Sequence, residues 1–329
     1  MYKLHNIILK YTAITVVISS LLILFGACDS TINTLESSVY TPRYSISKLN
    51  VSDLYDEPIS IGTLNNREIT EASGITECRQ NSNLLWTHND SGDMARIFLI
   101  NKNGEHEGTF RILNASNRDW EDIASGPGPE NGVNYLYIGE IGDNAGIYQY
   151  KHIYRLPEPD INKADLNVPH VNSENAQRIT FIYPDNKMID AEALLVDPLT
   201  KDIYIITKRE FPVTVYRLQY PQCTTDTLIT EEYATLPINN VTGGDFSDDG
   251  RKIILRTYEK AFIWERKPNE TIGTSFLREP QRVPLASEPK GEAITFAADG
   301  SGYYTLSEFE RDIVPEIYFY KRNQQSTFR

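Results

Sequence analysis

Acidic residues recur beside short apolar runs along most of the chain. Carboxylates at repeated positions could bind a cation or do acid–base chemistry. The repeated residues are Glu71, Glu121, Glu192, Asp245 and Glu292, and successive members are 50, 71, 53 and 47 residues apart. Propeller blades of four strands need roughly 40–50 residues each. The spacing therefore predicts one such residue near the start of the innermost strand of each blade.

Strand patterns dominate the sequence beyond its N-terminal segment. Short runs rich in Tyr, Ile, Val, Thr and Phe alternate with Gly, Pro, Asn and Asp, which is typical of all-β proteins. The last repeat lacks a fourth strand, and residues 59–64 can supply it, which would close the ring without a free sheet edge. We therefore predict an all-β, five-bladed β-propeller closed by an N-terminal strand. A six-bladed ring is the alternative because the second repeat is long, but we interpret its excess, residues 157–177, as an insertion loop.

Antiparallel strands determine where the repeated acids meet. The start of an innermost strand lies at the same rim as the end of the second strand. We expect the metal-binding or channel-mouth residues there to be Glu71, Glu121, Asp122, Glu192, Asp245 and Glu292. The ends of the second strands and the residues just after them add ligand-binding candidates, namely His88, Asn89, Asp90, Glu140, Lys208, Arg209, Arg256 and Glu308.

Several carboxylates at one mouth repel one another unless they are protonated or neutralised. Oxygen ligands suit Ca²⁺, with Mg²⁺ as the alternative. Two other arrangements remain open at this point. The acids could be satisfied by basic side chains and backbone amides in a closed channel, or they could act directly as catalytic carboxylates.

The N-terminus indicates export. Lys3 and Lys10 lie before an apolar stretch that ends at Phe25. Gly26, Ala27 and Cys28 follow that stretch. We predict a lipoprotein signal peptide over residues 1–27, with Cys28 as the lipidation site that would anchor the protein to the cell envelope. An ordinary secretory signal is the alternative. Residues 28–55 are rich in Ser, Thr and Asn and predict a flexible tether, and residues 56–329 are then the propeller domain.

The charge limits the class of partner. The chain has a formal charge of −13, and the predicted signal contains two lysines and no acids, so the mature chain would have −15. An acidic chain without a Lys/Arg block excludes nucleic acid as a partner. We predict the membrane as a partner through the lipid anchor, together with a small anionic ligand or an envelope protein. The predicted location is the cell envelope, on the periplasmic side or the cell surface.

Several short motifs resemble those of a broad set of bacterial propellers that includes the SdiA-regulated family and the esterase-like phytase family. They are Glu-Ala-Ser-Gly-Ile75, Trp-Thr-His-Asn-Asp-Ser-Gly92, Asp-Trp-Glu-Asp-Ile-Ala124 and Gly-Glu-Ala-Ile294. The resemblance covers about residues 58–320 and implies a divalent cation in the channel. A phytase-like activity would place Lys208, Arg209 and Arg256 on phosphate, which the negative charge of the chain opposes.

The sequence thus predicts a lipid-anchored, divalent-cation-binding propeller that binds a ligand or a partner at its channel mouth. A metal-dependent phosphoester hydrolase with a metal-bound water as nucleophile is the first alternative. Glycoside cleavage by two carboxylates about 5 to 9 Å apart, beside an exposed tryptophan, is the second. The fold alone does not choose among them.

Overall fold

The structure is a computed structural model that describes residues 39–323. In chain order its strands are β1 (Ile59–Thr63), β2 (Ala72–Glu77), β3 (Leu84–Asn89), β4 (Arg96–Asn101), β5 (His106–Leu113), β6 (Trp120–Pro127), β7 (Asn134–Glu140), β8 (Lys151–Pro157), β9 (Val171–Asn175), β10 (Gln177–Ile182), β11 (Ala191–Val196), β12 (Ile203–Thr207), β13 (Val213–Leu218), β14 (Thr227–Ile229), β15 (Glu231–Leu236), β16 (Val241–Phe246), β17 (Lys252–Thr257), β18 (Ala261–Glu265), β19 (Gln281–Val283), β20 (Gly291–Phe296), β21 (Gly302–Ser307) and β22 (Glu316–Lys321). One short helix, α1 (Ile272–Phe276), lies between β18 and β19. Single turns of 3₁₀ helix occur at Ile46–Lys48 and Pro184–Asn186.

These strands form five sheets, which confirms the five-bladed β-propeller. Blade 1 is β2-β3-β4-β5, blade 2 is β6-β7-β8-β10, blade 3 is β11-β12-β13-β15 and blade 4 is β16-β17-β18-β19. Blade 5 is β20-β21-β22, and β1 pairs antiparallel with β22 as its fourth strand. The N-terminal closing strand predicted from the sequence is therefore present. The six-bladed alternative is wrong for the described residues.

The innermost strands are buried along their whole length. Every residue of β2, β11, β16 and β20 is buried, because these strands pack against the innermost strands of both neighbouring blades as well as within their own sheets. Large aromatic side chains fill the space between blades. Trp86 and Trp120 lie in the apolar cluster between blades 1 and 2, and Trp264 lies in the cluster between blades 3 and 4. This packing fixes the innermost strands and the side chains at their ends.

The outer edges of four blades are covered by parallel segments. Strand β9 pairs with β5 on blade 1, and β14 pairs with β10 on blade 2. Tyr40 forms a parallel bridge with Ala234 on blade 3, and Val51 forms one with Arg282 on blade 4. An uncovered edge strand exposes unpaired N–H and C=O groups that invite pairing with other chains. The coverage reduces this liability at the outer edges of blades 1 to 4.

The sequence predicted a flexible tether up to residue 55, and residues 39–55 depart from that prediction. The Tyr40 amide donates to the carbonyl of Tyr233 at 3.0 Å, and the Trp264 indole donates to the Tyr44 hydroxyl at 2.9 Å. These residues lie against blades 3 and 4 because unpaired strand edges and apolar surface are available there. Residues 1–38, with the predicted signal peptide and Cys28, lie outside the described residues, and the lipidation stays a prediction.

A further difference concerns a segment with a weak sequence pattern. The stretch interpreted as an insertion loop contains β9, which joins blade 1 instead of forming a blade of its own. Only one of the five residues of β9 is buried, so its sequence shows no clear alternation of apolar and polar residues. Among the described residues, no helix has the length and apolarity required to span a membrane.

Candidate cation site at the channel mouth

A β-bulge interrupts the innermost strand of every blade close to one mouth of the channel. In β11, Ala191 pairs with Thr207 and Ala193 with Ile206, which leaves Glu192 as the extra residue. Bulges of this kind redirect side chains at the rims of closed sheets. The bulge shifts the register at equivalent places in all five blades, at Ser73, Glu121, Glu192, Thr242 and Glu292.

The bulges correct the predicted alignment of the acids. Glu71 precedes β2 and is exposed, so it is equivalent to Asp119 and Asp190 and not to Glu121. Asp245 lies three residues beyond Thr242, which occupies the bulge of blade 4. The prediction of one acid at the same position in every blade is therefore wrong for blades 1 and 4. A bulge adds a residue without a sequence signature, so matching acids by their order along the chain misplaced these two.

Five carboxylates from blades 1, 2 and 3 meet at this mouth. One oxygen from each of Asp90, Asp119 and Glu121 lies within 4.8 Å of the others, and the same holds for Glu121, Asp190 and Glu192. We call these five residues the mouth cluster. Asp119 and Asp190 were absent from the predicted site residues. Their signal is the repeated Asp-x-Glu spacing, since both precede a bulged glutamate by two residues.

Glu121 is the member that both halves of the mouth cluster share. Glu121 is 2% exposed, and its Oε1 atom has no hydrogen-bond partner among residues 39–323. Gly142 covers it closely, since a Cβ atom at that position would lie 1.9 Å from Glu121 Oε1 and 2.7 Å from Asp119 Oδ2. A buried carboxylate oxygen without a donor is costly. Together with four neighbouring carboxylates, it marks a place that a cation would stabilise.

The electrostatics of the mouth cluster follow from burial and like charge. Burial raises the pKa of Glu121 well above its usual range, and the neighbouring Glu192 raises it further. Burial also raises the pKa of Asp90 to about 7, with contributions from Glu192 and Asp119. The same effect raises the pKa of Asp119. Without a cation, the cluster therefore retains protons near neutral pH.

The donor set fits a hard divalent cation. Calcium takes six to eight oxygen ligands at about 2.3–2.6 Å, so two oxygens on one ion are at most about 5 Å apart. Within each half of the mouth cluster the three carboxylate oxygens lie within 4.8 Å of one another, which is compatible with that geometry. Asp119 and Glu121 of blade 2 would bind the ion together with the partly exposed Asp90 of blade 1, and Asp190 and Glu192 of blade 3 form the other half around the shared Glu121. Magnesium, with shorter bonds, requires a tighter octahedron.

The basic residues predicted at the mouth are paired with acids. Lys208 Nζ lies 2.5 Å from Glu192 Oε1, and Arg209 Nε lies 2.8 Å from Asp190 Oδ2. Arg256 lies at the second-strand position next to the bulge of blade 4, and its Nη1 atom is 3.0 Å from Glu288 Oε2. Each of these cations therefore already neutralises a carboxylate.

Asp122 and Asp245 link neighbouring innermost strands. The Asp122 carboxylate accepts hydrogen bonds from the amides of Ile123 and Leu194, at 2.9 and 3.0 Å. Asp245 accepts from the Phe296 amide at 2.9 Å and from its own neighbour Phe246 at 2.8 Å. Innermost strands of different blades share no hydrogen-bonded ladder, so these carboxylates supply bonds between blades. The structure does not bring them into the mouth cluster.

His88 and Asn89 are buried at the end of β3. Burial lowers the pKa of His88 to about 4, so its ring is neutral near pH 7. Its Nδ1 lies 2.9 Å from the Asn89 carbonyl, and its Nε2 faces Gly74 and has no hydrogen-bond partner among the residues that the structure describes. The Asn89 side chain accepts from the amides of Thr70 and Glu71 at 3.0 and 3.2 Å, and thereby holds the preceding loop.

The remaining predicted residues lie apart from the mouth cluster or beside it. Glu140 accepts hydrogen bonds from Tyr154 at 3.1 Å and Ser116 at 3.2 Å within blade 2. Glu308 forms an ion pair with Lys290 at 2.9 Å. Glu292 occupies the bulge of blade 5, and within residues 39–323 its Oε2 atom has no hydrogen-bond partner. Burial and then Glu192 raise its pKa to about 8.

These shifts predict how the stability of the cation-free protein depends on pH. Asp90 and Glu292 have raised pKa values in the folded state, so their contribution to stability is present at low pH and is lost as pH rises through about 7 to 8. His88 has the opposite trend, but only below its unfolded pKa of about 6.5. With chelator present, we expect the free energy of unfolding to fall between about pH 6.5, above which His88 no longer contributes, and about pH 8, as both carboxyls ionise in the folded protein, by less than about 1.4 kcal/mol per pH unit for each carboxyl. Urea unfolding at several pH values measures this, and a flat or rising curve would contradict it.

Comparison with protein-family models found no family that matches the chain, and comparison with curated proteins found no match. The resemblance to the SdiA-regulated and phytase-like propellers therefore rests on the short motifs alone.

Proposed function

We propose that this protein is a binding propeller of the cell envelope whose channel mouth holds a divalent cation, Ca²⁺ in the first place and Mg²⁺ as the alternative. The ion would lie in the mouth cluster, and a small anionic ligand or a partner protein would bind over it. The observation that supports this most directly is the buried Oε1 of Glu121, which lies among four other carboxylates and has no hydrogen-bond partner in the described part of the chain. The N-terminal pattern ending at Cys28 supports the location outside the cytoplasm.

The phosphoester hydrolase is less well supported. Phosphate recognition needs cationic side chains with free donors. Lys208 and Arg209 are paired with two acids of the mouth cluster, Glu192 and Asp190. Arg256 is fully buried against Glu288. A phosphate would have to displace these carboxylates within an acidic mouth.

Glycoside cleavage lacks its expected sugar platform. That alternative required an exposed tryptophan beside two carboxylates. The three tryptophans of the chain, Trp86, Trp120 and Trp264, are all fully buried and fill the space between blades. A binding function at the mouth therefore agrees best with the geometry.

Calorimetric titration of the chelator-treated full chain with CaCl₂ tests the proposal. We expect one saturable site and release of protons on binding, because burial and neighbouring carboxylates raise the pKa values of Glu121 and Asp90, and coordination requires the deprotonated carboxylates. Repeating the titration in two buffers of different ionisation enthalpy measures the proton count. Affinity should therefore rise with pH. Magnesium should bind more weakly.

Two results would contradict the proposal. One is the absence of calcium binding by a chain whose circular dichroism shows it to be folded. The other is calcium binding that persists unchanged in an Asp119→Asn/Asp190→Asn double variant, since these two carboxylates represent both halves of the mouth cluster.

A further inference from the structure

Exposed hydrophobic side chains are concentrated on the face that contains the mouth. Nine of the fifteen large hydrophobic residues that are exposed among the described residues lie in loops at this rim. All five blades contribute, with Met94, Ile147, Phe211, Tyr258 and Ile313 as examples from blades 1 to 5. We call this set of rim residues the apolar crown. Single exposed apolar residues need no explanation, whereas a set that surrounds one opening marks an interaction surface.

The apolar crown includes a groove between blades 5 and 1. The groove has a volume of about 790 Å³ and is lined by Leu64, Ile69, Phe309 and Val314, with Arg67 and Asp312 among its polar residues. Interfaces derive most of their affinity from a few large side chains that fill such recesses. The groove is large enough to accept an aromatic or branched aliphatic side chain of a partner.

The charge of the same face restricts the partner. The ten loops at the rim contain fourteen acidic and eight basic residues, and the bulged Glu121, Glu192 and Glu292 lie within the mouth they surround. This face repels anionic lipid headgroups and nucleic acid, and it repels a second copy of itself. It attracts a surface on which lysine or arginine accompanies apolar residues.

We infer that the apolar crown is a docking surface for a protein segment that presents a large apolar anchor next to basic residues. The anchor enters the groove between blades 5 and 1, and the basic residues face the acidic rim. This inference deepens the partner-binding part of the function proposed above and does not depend on the cation.

Selection from a random peptide library on the immobilised full chain tests this inference. We expect the enriched peptides to combine lysine or arginine with large apolar residues, and their binding to weaken as salt screens the acidic rim. An Ile147→Ser/Ile313→Ser double variant should lose roughly tenfold in affinity for a selected peptide. These side chains are 59% and 53% exposed, so the variant should remain folded. Leu199→Ser is the matched control, because Leu199 is 58% exposed in the β11–β12 turn on the opposite face and should change nothing.

Several outcomes would overturn the inference. They are the absence of enrichment, enrichment of acidic peptides, and selected peptides whose affinity is unaffected by the double variant. Co-sedimentation with phosphatidylglycerol vesicles that the double variant abolishes would identify a membrane surface instead. Sedimentation of the free chain as a dimer that the double variant dissociates would identify self-association. Calcium titration of the same double variant separates the two proposals, since it should bind calcium like the wild type.

Discussion

Replacing Glu121 by glutamine is expected to remove most of the stabilisation that calcium gives. Glutamine has nearly the same size but removes the charge that both halves of the mouth cluster share. Without calcium, the variant should be at least as stable as the wild type, because the neutral amide avoids the burial and the neighbouring Glu192 that disfavour an ionised Glu121. With calcium at about 100 times its dissociation constant, the wild type should gain about 2.7 kcal/mol in its free energy of unfolding. The variant should gain far less.

Urea unfolding of both proteins, with chelator and with calcium, measures the gain in the free energy of unfolding that calcium gives to each. Glu130→Gln is the matched control, since Glu130 is exposed in the β6–β7 turn at the far end of the same innermost strand. It removes the same charge from blade 2 and should leave the calcium response intact. An equal gain for Glu121→Gln and the wild type would show that Glu121 does not bind the ion.

Replacing Arg256 by methionine is expected to cost about 3–5 kcal/mol of stability, the range found when one partner of a buried ion pair is removed. The Arg256 and Glu288 side chains are 0% and 1% exposed, so the glutamate would be left buried without its cation. The carbonyl of Ala293 would also lose the hydrogen bond that Arg256 Nη1 donates at 3.0 Å. Chemical denaturation of the purified variant measures the loss.

The paired variant Arg256→Met/Glu288→Leu should recover much of that loss, because no buried charge remains unpaired. Lys163→Met provides the contrast. Lys163 forms an ion pair with Asp160 on the surface, where its side chain is 85% exposed, and its replacement should have no measurable effect. A tolerated Arg256→Met, or a double variant no more stable than the single one, would show that the ion pair does not stabilise the fold as argued.

The arrangement at the mouth also explains how one fold supplies both a rigid frame and a charged site. The innermost strands are fixed by burial on every side, and Asp122 and Asp245 bond them across blades. The acids of the mouth cluster then lie at strand ends, where the neighbouring loops leave Asp90 partly exposed. The fixed strands hold these carboxylates close together, and a bound cation would neutralise their charge.

The sequence by itself determined the fold. Alternating apolar runs, their turn residues and a repeat near 50 residues specified the blades and the closing strand at 59–63, because strand burial depends on local side-chain pattern. It also placed Glu121 and Glu192 at the correct rim, since antiparallel pairing fixes which strand ends meet. The local pattern did not specify that residues 39–55 lie along the outer blades.

Only the tertiary structure decided the composition of the site. The β-bulges placed Ser73 and Thr242, instead of Glu71 and Asp245, at the positions equivalent to Glu121. Long-range contacts paired Lys208 with Glu192 and Arg256 with Glu288, the basic residues that a phytase-like activity would place on phosphate. A bulge and an ion pair depend on distances between segments that are far apart in the chain, whereas strand periodicity depends on neighbouring residues. For that physical reason the sequence predicts the ring of blades more completely than it predicts the site.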